Sequence, residues 1–268
     1  MVIIEGLKNW TMDKPQVFGG FHLFFLFLAL FVATLLIHFF KNSSFKTVRT
    51  IILISWIILV FFEVGKQLMY SYNNGVWKYT WSQFPFQFCE TPMYVLPFLF
   101  FIKNERIRNA LIHFFATFAF FAGFALLVLP LTTFDTYVFL NIRTMIQHGI
   151  QVILGLYLFA WNRKNVSLKG FLEGSYIFLG LLTIAIILNF TLGKHVEGLN
   201  LFFVNKEYDS IILIIKDLKP HVPWFIFLLS YILGFYFCAL ASYFVEYESY
   251  RLSLKFELKE EKEVELKN

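Results

Sequence analysis

Residues 19–40 read GGFHLFFLFLALFVATLLIHFF, a stretch without a single Asp, Glu, Lys or Arg. A helix rises about 1.5 Å per residue, so about 20 apolar residues cross the roughly 30 Å hydrocarbon layer of a bilayer. This stretch meets that length with only His22, Thr34 and His38 as polar side chains. It is longer than the apolar core of a cleavable signal, about 7 to 15 residues, and mixed charge precedes it, so it is expected to stay in the mature protein.

Six further apolar runs follow, near 48–68, 84–102, 110–130, 144–161, 171–192 and 223–245, joined by connections too short for a soluble domain. With 58% hydrophobic and only 15% charged residues, the composition has no use in a soluble fold. The expected fold is an all-α polytopic membrane helix bundle of about seven transmembrane helices. Residues 1–245 form a single seven-span domain and 246–268 a charged cytoplasmic tail. The third and fifth runs are short and carry polar residues.

Lys and Arg collect in alternate connections: Lys41, Lys46 and Arg49; Lys103, Arg106 and Arg108; Arg163, Lys164 and Lys169; and the tail. Cytoplasmic loops carry such an excess, which puts the N-terminus outside and the C-terminus inside. Seven spans satisfy this rule and six do not. Trp77, Tyr79 and Trp81 on one side, with Trp161, Tyr243 and Tyr247 on the other, fall at interfacial depth. The net charge of +5 is dispersed over separate loops, so it speaks for membrane lipids as partners and against nucleic acid. Abundant Phe, Ile, Asn and Lys indicate an AT-rich genome and a bacterial plasma membrane. Cys89 and Cys238 lie toward opposite membrane faces and are expected to be unpaired. The run Ile211–Ile215 is too short to span and is expected to rest at the outer interface. The tail is expected to extend the last helix or to lie on the membrane surface.

An ionisable residue within a span costs about 2.5–3.5 kcal/mol on insertion scales, so each one needs a reason. Glu63, Lys66 and Gln67 sit at the outer end of the second span, where spacings of three and four put Glu63 beside both others. Gln87, Cys89 and Glu90 open the third span, whose helix is interrupted by Pro85 and Pro92. Asn141, Arg143, Gln147, His148 and Gln151 open the fifth, and His22 opens the first. All fall within about 10 Å of the outer boundary at helical rise. The inner half holds few such groups beyond His38, His113 and Glu173. The pattern predicts a polar pocket in the outer leaflet, built from spans one, two, three and five.

Each group also has a plain structural explanation: an ion pair that fixes packing for Glu63 and Lys66, a satisfied buried imidazole for His148, a small apolar side chain for Cys89, an interfacial anchor for Arg143. No G-x-S-x-G elbow, Walker A loop, dinucleotide loop or H-E-x-x-H motif is present, and neither cofactor nor metal is expected. Gly170 and Gly174 make a G-x-x-x-G at a span end. There is no internal repeat of the kind that marks inverted-repeat transporters.

The stretches FPFQFC at 84–89, PMYVLP at 92–97 and NIRT at 141–144 running to His148-Gly149, with the Glu63–Gln67 segment, resemble the YwaF family of bacterial integral membrane proteins. That family is distantly similar to a eukaryotic multispan protein described as a phospholipid acyltransferase, with a proposed cysteine nucleophile in an Asn-Pro-Cys-His stretch. If Pro85 matches that proline, Phe86 stands at the cysteine and Gln87 at the histidine, leaving Cys89 as the nearby thiol. The resemblance thus implies lipid acyl transfer. Cys89 would be the nucleophile, His148 the general base and Asn141 or Gln87 the support for the developing oxyanion, with Glu63, Lys66, Gln67, Gln87 and Arg143 binding substrate. The alternative is a solute transporter or receptor-like protein that uses the same pocket without a nucleophile.

Overall fold

The computed structural model describes residues 2–265 apart from 74, 132, 213 and 214, with side chains described as far as residue 255. Helix α1 (Val2–Asn9) precedes α2 (Gly20–Phe40) and α3 (Phe45–Ser71). A small hairpin then pairs β1 (Tyr72–Asn73) with β2 (Val76–Trp77). After a broken segment come α4 (Pro92–Phe101), α5 (Glu105–Val128), α6 (Val138–Asn162), α7 (Leu168–Thr191) and α8 (Trp224–Glu265). Among the described residues, α2, α3, α5, α6, α7 and α8 are long and apolar enough to cross a membrane, so the chain is an all-α polytopic membrane helix bundle.

Burial separates centre from rim. In α5 and α6, 67% of the apolar window is buried, against 11% in α2, whose Phe24, Phe27 and Phe31 face outward. The centre is aromatic: Phe88 packs on Phe114, Phe178, Phe202 and Phe235 with ring centroids 5.0–6.2 Å apart. A π turn at Phe115–Ala119 interrupts α5 where it meets α8.

The run expected as a helix over 84–102 differs from the expectation. Only Pro92–Phe101 is α-helical, preceded by 3-10 turns at Trp81–Gln83 and Phe88–Glu90. Three prolines explain it. Pro85 removes a donor before the helix begins, Pro92 opens α4 at a position that needs none, and Pro97 interrupts it. The segment nevertheless runs antiparallel to α3 along most of its length. Gln67 Nε2 donates to the Gln83 carbonyl at 2.6 Å, Lys66 Nζ lies 2.5 Å from Glu90 Oε1, Trp56 Nε1 donates to the Met93 carbonyl at 2.9 Å, and the Arg49 guanidinium lies 4.6 Å over the Phe100 ring. From Arg49 to Gln67, α3 rises about 27 Å, close to the hydrocarbon thickness. Six long helices and one broken segment therefore make up the bundle.

The Trp56 contact follows from Pro97. A proline cannot donate to the carbonyl four residues back, here Met93, and the indole N–H takes that role. Trp56→Phe is expected to cost about 1–3 kcal/mol, since a buried acceptor is stranded. Thermal unfolding followed by far-UV circular dichroism in detergent reads the loss. Adding Pro97→Ala, which restores the intrahelical donor, recovers most of it.

The fifth expected span, near 144–161, is the longer α6. Helix α8 continues unbroken from Trp224 to Glu265, so the described part of the tail extends the last helix. The expectation for 211–215 rests on residues 213 and 214, which lie outside the described residues.

Candidate functional site

Residues 87–90 form a tight turn held from both sides. The Glu90 backbone N–H donates to the Gln87 carbonyl at 2.8 Å, and the Gln87 backbone N–H donates back to Glu90 Oε2 at 2.9 Å. Glu90 thereby turns its other oxygen toward α3 and α6. Glu90 Oε1 meets Lys66 Nζ at 2.5 Å and an Arg143 terminal nitrogen at 2.8 Å. The Glu63 carboxylate does the same with its two oxygens: Oε1 lies 2.8 Å from Lys66 Nζ and Oε2 lies 2.6 Å from Arg143. Two cations and two carboxylates alternate in a closed ring, and each is no more than 8% exposed. Its formal charge is zero, and no member lacks a counter-ion. That is the arrangement in which charges survive in a low dielectric.

Further amides brace the ring. Gln67 Nε2 donates to Glu63 Oε1 at 2.7 Å. Arg143, Gln147 and Gln151 follow one another at intervals of four along one face of α6. Gln147 Nε2 donates to the Cys89 carbonyl at 2.8 Å, and Gln151 Nε2 donates to the same oxygen. The 88–90 turn is thus fixed by α3 through charge and by α6 through both charge and amides.

Cys89 carries a free thiol and is half-buried. A shallow crevice touches it, lined by Leu59, Glu63, Cys89, Glu90, Pro92, Met93 and Gln147, with room in this conformation for no more than a water-sized group.

His148 is buried in α6, and its Nδ1 lies 2.8 Å from the Thr144 carbonyl. A carbonyl only accepts, so Nδ1 carries the proton and Nε2 presents a lone pair, which has no partner. Arg143 Nε is likewise buried and unpartnered, as are Gln67 Oε1, Gln87 Oε1 and Gln151 Oε1. Each is a hydrogen-bonding position still open at the site.

The residues singled out from sequence divide in three. Glu63, Lys66, Gln67 and Arg143 come together in and around the ring, with Cys89 beside it. Gln87 joins through its backbone, while its side-chain Nε2 donates 2.9 Å to the Asn200 carbonyl. Asn141 is engaged away from the ring, where it accepts from the Asp135 N–H at 2.7 Å and donates to the Asp135 carbonyl at 2.8 Å, fixing the loop before α6. His22 also bonds elsewhere, accepting from the Phe18 N–H at 2.8 Å and donating to the Leu127 carbonyl at 2.7 Å, which ties α2 to the end of α5. The ring's fourth member, Glu90, and the braces Gln147 and Gln151 were placed in the polar pocket from sequence but given no catalytic or binding role. The four-residue spacing of 143, 147 and 151 was the signal that marked them as one polar face. A metal ion would have to displace a guanidinium or an ammonium from these carboxylates, so the donor set does not favour one.

A family model described as the TMEM164 family matches residues 17–241. No curated protein matches the chain, and no solved structure does.

Proposed function

The chain belongs to the TMEM164 family, and from that premise and the geometry around Cys89 we propose that it is a plasma-membrane acyltransferase acting on phospholipid acyl chains. In this reading the ring lies in the outer leaflet, with the N-terminus outside, as the distribution of Lys and Arg favours. The resemblance to the YwaF family and its acyltransferase relative gives the reaction class. The carrying observation is a free thiol in a turn held rigid by a buried neutral ring, with the unpartnered His148 Nε2 on the same helix as the ring's Arg143.

The chemistry balances without a cofactor. This reading requires the His148 imidazole to come within hydrogen-bond reach of the thiol when lipid binds: Cys89 then gives its proton to His148 Nε2, and the thiolate attacks the carbonyl carbon of a donor lipid ester. The donor's alkoxide leaves with that proton, and the acyl group stays as a thioester on Cys89. An acceptor lipid hydroxyl, deprotonated by the same imidazole, then attacks the thioester, and the proton returns to sulfur. Asn141 Nδ2 and Gln87 Nε2 each donate to a backbone carbonyl, of Asp135 and Asn200, whereas Arg143 Nε is buried without a partner and is the donor this reading assigns to the oxyanion.

The test compares phospholipid mass spectra of cells expressing the wild-type chain, His148→Ala and Cys89→Ser at matched protein levels. The wild type is expected to shift the acyl-chain distribution and both variants to restore that of the empty control. If every profile matches the control under several lipid supplies, acyl transfer is wrong, and solute binding by the same residues becomes the reading. A shift that survives Cys89→Ser but not His148→Ala means that the imidazole activates the acceptor hydroxyl directly.

A further inference from the structure

Tyr231 of α8 is fully buried, and its hydroxyl has no hydrogen-bond partner. A buried tyrosine usually bonds through that group, so an open one needs a reason. Its location narrows the reason. The Tyr231 ring stacks on Phe235 one turn along, with centroids 4.7 Å apart, and Phe235 meets Phe88 edge-on at 5.0 Å. Phe88 directly precedes Cys89, so this face of α8 lies against the turn that carries the thiol. The Tyr231 hydroxyl is within electrostatic reach of that thiol, and no other titratable group among the described residues acts on it. The hydroxyl thus belongs to Cys89 rather than to the ring of four charges.

A catalytic thiolate needs a neighbouring cation or hydrogen-bond donor to hold its charge. The ring beside Cys89 supplies no net charge, because the Lys66 ammonium and an Arg143 terminal nitrogen are bound to Glu63 and Glu90. Gln147 and Gln151 donate to the Cys89 carbonyl and not to its sulfur. A neutral thiol is a weak acceptor, which accounts for the open hydroxyl beside it, whereas a thiolate is a strong one.

We propose that Tyr231 is a further catalytic residue: its O–H donates to the Cys89 sulfur once the thiol has ionised, with side-chain rotation closing the gap. The hydroxyl keeps its proton throughout, and the proton lost by sulfur goes to His148 Nε2. When sulfur enters the thioester it is a weak acceptor again, and the bond is released. The proposal rests on the acyl-transfer reading only for what the thiolate attacks.

The experiment uses the full chain in nanodiscs, with Cys238→Ser so that Cys89 is the one thiol, and follows alkylation by iodoacetamide across pH. Tyr231→Phe removes a single oxygen. Losing a hydrogen bond to a charged acceptor is expected to slow alkylation at neutral pH about tenfold and to move the rate profile to higher pH. At the alkaline plateau, where all of the thiol is ionised, the variant should react at least as fast as its parent, which excludes a change of access. The melting midpoint should hold or rise, because the deleted hydroxyl had no partner to lose. In cells, the same variant is expected to lose the shift in acyl-chain distribution. An unchanged alkylation profile, or a lower midpoint, overturns the proposal. If alkylation responds but the parent leaves cellular lipids as in the empty control, Tyr231 stands as the thiolate's donor and acyl transfer is removed. If parent and Tyr231→Phe remodel lipids equally, acyl transfer stands and Tyr231 has no part in it.

Discussion

Arg143→Met is expected to abolish recovery of folded protein. The substitution strips one cation from a ring of two cations and two carboxylates, leaving Glu63 and Glu90 sharing Lys66 alone. Breaking a buried ion pair from one side costs about 3–5 kcal/mol, because a charge is stranded out of water. That is a large share of the roughly 5–15 kcal/mol by which proteins are stable. Size-exclusion profiles of a fluorescent fusion in mild detergent read the result as a lost monodisperse peak. A compensating change separates charge from shape. Adding Glu63→Gln returns the site to zero formal charge with Lys66 still against Glu90, and the peak is expected to recover by half or more. If the single variant is as well folded as the wild type, the ring is hydrated rather than sealed and the account of it fails.

Gly174→Val is expected to separate α7 from α5. A Cβ at Gly174 would lie 2.8 Å from the Phe114 backbone nitrogen, 3.1 Å from the Ala110 carbonyl and 3.2 Å from the His113 carbonyl carbon. Those neighbours are backbone and cannot rotate away. One turn earlier, a Cβ at Gly170 would meet the His113 ring at 2.4 Å. Small residues allow such approaches between membrane helices, and overpacking them costs about 1–3 kcal/mol or more. The melting midpoint should fall by about 5–10 °C, scaling from about 2–4 °C per kcal/mol in a chain of this size. At Gly180, where nothing lies within 4 Å of an added Cβ, Gly180→Val serves as the control and should shift the midpoint little.

Both predictions depend on contacts that were unequally legible in the sequence. The Glu63–Lys66 pair was visible because it is local: three residues of helix bring the side chains together whatever the rest of the fold does. The partnership of Glu90 with Arg143 crosses 53 residues and two connections, and no periodicity encodes it. Arg143 read equally well as an interfacial anchor, but α6 begins at Val138, well before the apolar run near 144–161, which sets Arg143 inside the helix. The crossings themselves were legible because apolar length is a strong signal. The third was visible as a run with prolines, but its course was not: the prolines mark where helix fails without saying what replaces it. Gly170 and Gly174 looked weak because they stand near a span end, yet at Gly174 the α5 backbone leaves no room for a Cβ. Phe202, at φ 55°, gave no signal, since left-handed backbone at a phenylalanine has no local cause.

The closed ring also constrains how the chain enters its membrane. Helix α3 carries Glu63 and Lys66 together, so it can partition into lipid already neutralised. The segment bearing Glu90 leaves the ribosome with a helix of only 10 residues and a carboxylate that must share Lys66 with Glu63, and its second cation waits on α6. An unpaired charge opposes insertion, by up to about 2.5–3.5 kcal/mol at a helix centre and less toward the boundary. The third crossing therefore settles late, held near the interface by Lys66 until α6 brings Arg143. Biogenesis of this bundle is not a strict succession of spans: its shortest crossing is completed by a helix synthesised two spans afterwards.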